Sequence, residues 1–90
     1  MKRTSYTRRY ECFRALLLSL RKEAGLRQTE LAARLGYPQS YVSKYESGQR
    51  RIDLVELEAI CRALGITLGE FVERFEGNEG LRPAHPGNPA

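Results

Sequence analysis

Gln39, Ser40, Ser43, Lys44 and Ser47 recur at steps that line them along one side of an α-helix. Each can donate a hydrogen bond, and none is acidic. A glutamine amide can grip adenine through N6 and N7, a lysine can donate to guanine O6 and N7, and a serine can serve either edge. Each good bidentate pair of this kind discriminates by about 1–3 kcal/mol. Val42 and Tyr45, with part of Tyr41, form the opposite, apolar side. A polar row facing an apolar one also describes any solvated surface helix, so the chemistry depends on what holds this one in place.

The preceding stretch supplies the support. Leu31, Ala32 and Leu35 give a second short helical pattern over about Gln28 to Leu35, and Ala32 is small where two helices must cross closely. Gly36 provides a left-handed stop, and Pro38 fixes its own φ, so a new helix must start sharply at about Gln39 and run to Ser47 before Gly48 ends it. Two short helices across Gly36-Tyr37-Pro38 make a helix-turn-helix, whose second helix is the one presented to DNA.

The rest of the chain reads as a frame for that pair. Residues 1–9 are basic and have no apolar period, which predicts a flexible arm or a frayed helix start. From Tyr10, the residues Phe13, Leu16, Leu17, Leu20 and Ala24 recur at helical steps, and Gly25 with Leu26 fits a Schellman stop. Asp53 with Glu56 forms a capping box ahead of the stripe Leu54, Leu57, Ile60, Cys61, Leu64, which stops at Gly65. Thr67 with Glu70 repeats the device for a last helix burying Leu68, Phe71, Val72 and Phe75. The expected fold is therefore all-α with five helices: an arm over 1–9, a compact domain over 10–76 and a Pro/Gly-rich, disordered tail over 77–90.

The segment LRQTELAARLGYPQSYVSKYESGQRR closely resembles the lambda-type phage repressor and Xre family of helix-turn-helix proteins, and the resemblance spans about Phe13 to Phe75. The marks are Gln28 opening the second helix, Leu31-Ala32 within it, Gly36 at the turn, Gln39-Ser40 opening the third, and Glu46 just before Gly48. The resemblance implies a lambda-repressor-like domain in which Gln39, Ser40 and Lys44 look at base edges. It implies that Gln28 holds a phosphate and braces Gln39 across the turn, with Ser43 and Tyr41 at the margin of the phosphate contacts. It also matches Arg21 and Glu46 to an internal salt bridge tying the first helix to the third, a pair whose breaking would cost roughly 3–5 kcal/mol if buried. Two positions depart from the pattern. Arg27 and Pro38 stand where Ser or Thr commonly caps, and neither side chain can accept an orphan backbone hydrogen bond. Arg27 is expected to offer a phosphate contact instead. Gln49, Arg50 and Arg51 follow the recognition helix where relatives lay a loop along the DNA backbone, positioning the protein without reading sequence.

Composition agrees with this class and removes others. At 90 residues the chain has room for one domain, with 41% hydrophobic and 29% charged residues and no apolar run approaching the roughly 20 a membrane helix needs. Without such a run, and without a cleavable leader, the chain is expected in the cytoplasm. The net charge of +4 is unevenly spread: residues 1–27 carry eight Lys/Arg against two Glu, whereas 53–76 carry two against six Asp/Glu. The basic end coincides with the helix-turn-helix, as a polyanionic partner requires. Lys2, Arg3, Arg8 and Arg9 either reach a neighbouring groove or phosphate or simply fray.

Cys12 and Cys61 belong to no CxxC or Cys/His cluster, and the single histidine, His85, sits in the tail. Both cysteines are expected as small buried hydrophobes. No metal, cofactor, small-molecule ligand or catalytic residue is expected.

The function predicted is a sequence-specific, double-stranded DNA-binding transcriptional regulator, most simply a repressor acting as a homodimer on a palindromic operator, since one such helix reads too few bases for a unique site. Phe71 and Phe75 are the candidate dimer face. The alternatives are an antitoxin or adaptor that binds DNA together with a protein partner, and the controller of a restriction-modification system.

Overall fold

The computed structural model describes residues 5–77, with side chains from residue 7 onward; the predicted tail beyond Gly77 lies outside the described residues. Five helices follow one another: α1 (Ser5–Glu23), α2 (Gln28–Leu35), α3 (Gln39–Ser47), α4 (Leu54–Leu64) and α5 (Leu68–Gly77), with no strand among the described residues.

Each break between helices has a local cause. α1 stops where Gly25 N–H donates to the Lys22 carbonyl (2.9 Å) and Leu26 N–H to the Arg21 carbonyl (3.2 Å), the paired bonds of a Schellman motif. At Gly36 the chain takes φ +78, a conformation that costs a side-chain-bearing residue dearly, and Tyr37 N–H returns to the Ala32 carbonyl at 3.0 Å. Pro38 caps α3 with an extended backbone (φ −66, ψ 155) and no side-chain acceptor. α4 begins on a complete capping box: Glu56 N–H donates to Asp53 Oδ1 (2.8 Å) and Asp53 N–H to Glu56 Oε1 (2.9 Å). Thr67 and Glu70 make the equivalent pair for α5 (2.9 and 2.8 Å).

All five helices contribute to one core. Leu16, Leu17 and Leu20 of α1 meet Leu31 and Ala32 of α2, Val42 and Tyr45 of α3, Leu57, Ile60, Cys61 and Leu64 of α4, and Phe71 of α5. Fully burying a Leu or Ile side chain contributes about 1.5–3 kcal/mol, so this cluster outweighs the weak intrinsic stability of helices only eight to eleven residues long.

α1 starts at Ser5, ahead of Tyr10, so residues 5–9 take the helix-start alternative rather than the flexible arm. Its extra turn is held by aromatic and cationic packing rather than an apolar stripe: Arg9 lies 4.0 Å over the Phe75 ring, and Tyr10 packs on Phe13 at 5.3 Å. Leu54 belongs to the apolar period of α4 yet is 64% exposed at the first position of the helix, and Val72 of α5 is likewise exposed. Cys12 is only half-buried, whereas Cys61 is fully buried, which pushes its thiol up to about 11. No helix among the described residues is long and apolar enough to cross a membrane.

Candidate nucleic-acid interface

α3 carries core residues on one face and exposed residues on the other. Its inner face is anchored by Val42 and Tyr45, both essentially inaccessible, which turns Gln39, Ser40, Lys44 and Ser47 outward into solvent and leaves Ser43 half-covered. Ser47 bends back, donating its hydroxyl to the Lys44 carbonyl at 3.1 Å.

Behind Gln39 stands a directional chain of hydrogen bonds. Arg21 of α1 donates Nε and Nη2 to the two carboxylate oxygens of Glu46 (2.7 and 3.0 Å) and Nη1 to the Leu26 carbonyl (2.8 Å). Gln28 donates Nε2 to Glu46 Oε1 (2.9 Å), and Gln39 donates Nε2 to Gln28 Oε1 (2.8 Å). An ionised carboxylate can only accept. Glu46 therefore fixes which end of the Gln28 amide faces it, and Gln28 in turn fixes Gln39. One N–H and the whole carbonyl oxygen of the Gln39 amide remain for an adenine edge, which needs one donor and one acceptor.

The Arg21–Glu46 pair is largely withdrawn from water, with side chains 10% and 5% exposed. The bond to Glu46 is the main cause that raises the Arg21 guanidinium above its ordinary value, against the opposing effect of burial. A second arginine clamps the same residue: Arg14 Nη1 donates to the Glu46 carbonyl at 2.8 Å. Its guanidinium lies 3.1 Å from where a Cβ on Gly48 would stand, a tight approach, and the backbone there, at φ +89, favours glycine. Sequence reasoning missed Arg14. The available signal was its spacing of seven residues, two helical turns, from Arg21 on one face of α1.

The segment after α3 behaves differently. Arg50 Nη2 is 2.9 Å from Glu56 Oε2, Arg50 Nη1 donates to the Arg51 carbonyl (2.9 Å), and the guanidinium sits 4.8 Å over the Tyr41 ring. Tyr41 donates its hydroxyl to the same Glu56 oxygen at 3.3 Å. Burial, helped by the Glu56 charge, pushes the Tyr41 phenol up to about 12, and the bond from Arg50 leads the causes that hold the Glu56 carboxyl below the usual carboxylate range. Two of the residues expected along a DNA backbone, Arg50 and Tyr41, are thus turned onto Glu56, a residue the sequence reading used only as a helix cap. Arg51 is exposed and lies 4.5 Å over the Tyr10 ring, and Gln49 is exposed.

Arg27, 81% exposed, caps α2 without accepting anything; Glu30 compensates, taking the Arg27 N–H at 2.7 Å and touching the guanidinium at 3.3 Å. The Arg27 N–H bond is the main reason the Glu30 carboxyl is held low.

Phe71 is not a surface residue. It is 1% exposed, packed edge-on against Phe13 at 5.7 Å, so it belongs to the core and is withdrawn as a dimer contact. Phe75 remains half-buried and walls a shallow groove of about 270 Å³ with Arg9, Tyr10, Phe13 and Ile52.

Residues 17–71, more than half of the chain, match the helix-turn-helix family. The control protein C.MunI of Mycoplasma sp is 43% identical over 61 residues, covering 67% of this chain and 82% of that protein. An uncharacterized HTH-type transcriptional regulator, y4dJ, of Sinorhizobium fredii (strain NBRC 101917 / NGR234) is 42% identical over 53 residues, 59% of this chain and 69% of its own. Among solved structures, an XRE-family like protein from Pseudomonas syringae pv. tomato str. DC3000 superposes with a TM-score of 0.73 at 44% identity, over 78% of this chain and 85% of that one.

Proposed function

This chain belongs to the helix-turn-helix family, of the XRE type, and is a DNA-binding transcriptional regulator; we propose that it acts as a repressor, dimerising on a palindromic operator with α3 of each copy in the major groove. Two recognition helices about 34 Å apart, one turn of duplex, double the readout that a single helix provides. Gln39, Ser40 and Lys44 take the base edges. Arg27, Gln28, Ser43, Gln49 and Arg51 take phosphates with Tyr41 at their margin, while Arg50 is held on Glu56. Phe75, with Val72 one turn before it on α5, is the apolar surface we assign to the second copy. Catalysis has no place in this reading.

The observation that carries the proposal is the relay from Arg21 through Glu46 and Gln28 to Gln39, which presents a glutamine amide in a set orientation at the exposed end of a short helix. Such preorganisation lowers the ordering cost of binding. Fluorescence anisotropy on duplex DNA from upstream of the protein's own gene, against a scrambled duplex of equal composition, tests it. Preference for the native duplex of about a thousandfold or more, lost in Gln39→Ala, is the expected result; equal, steeply salt-dependent binding to both duplexes would reduce the protein to a basic surface. A second reading, the controller that times a restriction-modification system, is favoured by the 43% identity to a control protein. Restriction and modification genes beside its own, with an operator shared between them, would select it.

A further inference from the structure

Resting on the DNA-binding reading above, we infer that Glu56 is a positioning residue that sets how many DNA phosphates the protein neutralises, by holding Arg50 against Tyr41 and out of the backbone contacts.

The two oxygens of Glu56 do separate work. Oε1 closes the capping box on Asp53 N–H, and Oε2 takes both Arg50 Nη2 and the Tyr41 hydroxyl. A phosphate oxygen is a rival acceptor for the same guanidinium donors, since arginine pairs with carboxylate and phosphate through one fork geometry. In this protein the carboxylate is already seated there, fixed from behind by the Asp53 backbone. Arg50 moreover lies over the Tyr41 ring, 4.8 Å from its centroid, and is tied by Nη1 to the Arg51 carbonyl. A guanidinium that leaves for DNA would strand the Glu56 charge beside a polyanion. Arg50 is therefore close to silent in counterion release, and Arg51 and Gln49 act along the backbone without it.

Phosphate contacts strengthen binding to every sequence alike. By removing one of them, Glu56 lowers the hold on unrelated DNA and leaves Gln39, Ser40 and Lys44 untouched. Because Tyr41 belongs to α3, the same carboxylate also braces the recognition helix from the side opposite Glu46.

Glu56→Gln is the discriminating variant: a glutamine at this position still completes a capping box, so α4 keeps its start while the charge that holds Arg50 disappears. Binding to the native and the scrambled duplex is measured over a salt series for the wild type, Glu56→Gln, Arg50→Gln, the double variant, and Glu58→Gln. The last removes an exposed carboxylate of the same helix that pairs with Arg62. Glu56→Gln is expected to steepen the salt slope by about 0.9 and to tighten binding to both duplexes roughly five- to tenfold near 0.1 M salt. Arg50→Gln alone and Glu58→Gln should leave the slope as in the wild type, and the double variant should return to it. A slope flattened by about one unit in Arg50→Gln alone would overturn the inference, because Arg50 would already grip a phosphate; equal steepening in Glu58→Gln would overturn it as a mere effect of net charge. A wild type that binds neither duplex would instead sink the DNA-binding reading itself, before the variants are compared.

Discussion

Arg21–Glu46 and Arg50–Glu56 are the same chemical pair, closed at 2.7 and 2.9 Å, and both brace α3. They differ in water. The first has side chains 10% and 5% exposed, the second 41% and 23%. A guanidinium enclosed by protein has no alternative to its carboxylate, so the first pair is part of the architecture. In the second pair each partner keeps access to solvent, so the pair adds little to the stability of the fold. Geometry alone would have ranked the two together; burial separates a structural tie from an adjustable one.

The sharpest way to break this comparison is Glu46→Ala. It strands the buried Arg21 guanidinium and the Gln28 amide together, and we expect a loss of roughly 3–5 kcal/mol in denaturant unfolding. A loss below about 1 kcal/mol would show that water reaches the site and that the two pairs are alike. Next comes Gln39→Ala, at the exposed end of the buried relay. Its expected cost is about 1–3 kcal/mol of binding to the native operator, with affinity for scrambled DNA unchanged, read by anisotropy; an equal loss on both duplexes would make Gln39 a phosphate contact.

Arg50→Gln should cost no more than about 1 kcal/mol of stability, and a denaturant midpoint displaced as far as that of Glu46→Ala would remove the distinction. The smallest effect is on pH. The folded-state carboxyl of Glu56 lies below its unfolded value, so the unfolded chain binds the proton more readily, and the contribution of Glu56 is fully present above about pH 4.3 and lost as pH falls through the folded value. Arg50 stays charged throughout, so the whole pH dependence of this pair comes from the carboxylate. Between pH 6 and 3, Glu56→Gln should therefore lose less stability than the wild type; identical slopes would show that the carboxylate is no better solvated folded than unfolded.

Much of this was legible in the chain. The apolar periods, the glycine stops and the two capping boxes located α2 to α5, and the matched positions Arg21, Glu46, Gln28 and Gln39 come together in space as one network. What was not legible has common physical causes. Periodicity marks an apolar face without saying whether another helix covers it, so Leu54 and Val72 carried the pattern of buried residues and are exposed. Phe71 and Phe75 looked equivalent, and only the packing of Phe13 between them and Tyr10 placed one in the core and the other at its rim. The start of α1 was hidden because Arg9 stabilises it by lying on the Phe75 ring, an interaction between distant residues that no local pattern records. The diversion of Arg50 was hidden for the same reason: a basic residue beside a recognition helix reads as free charge until its carboxylate is located.

α3 is nine residues long, below the roughly 12–15 that an isolated helix needs in water. It persists because Val42 and Tyr45 are locked in the core and because Arg14 and Arg21 hold Glu46 from two directions. Its backbone amides should therefore exchange with deuterium only when the entire domain opens, at the slowest rate in the molecule, although the helix is among the shortest and faces solvent. The surface proposed to meet DNA should then have no private unfolding event and should arrive at every encounter already formed.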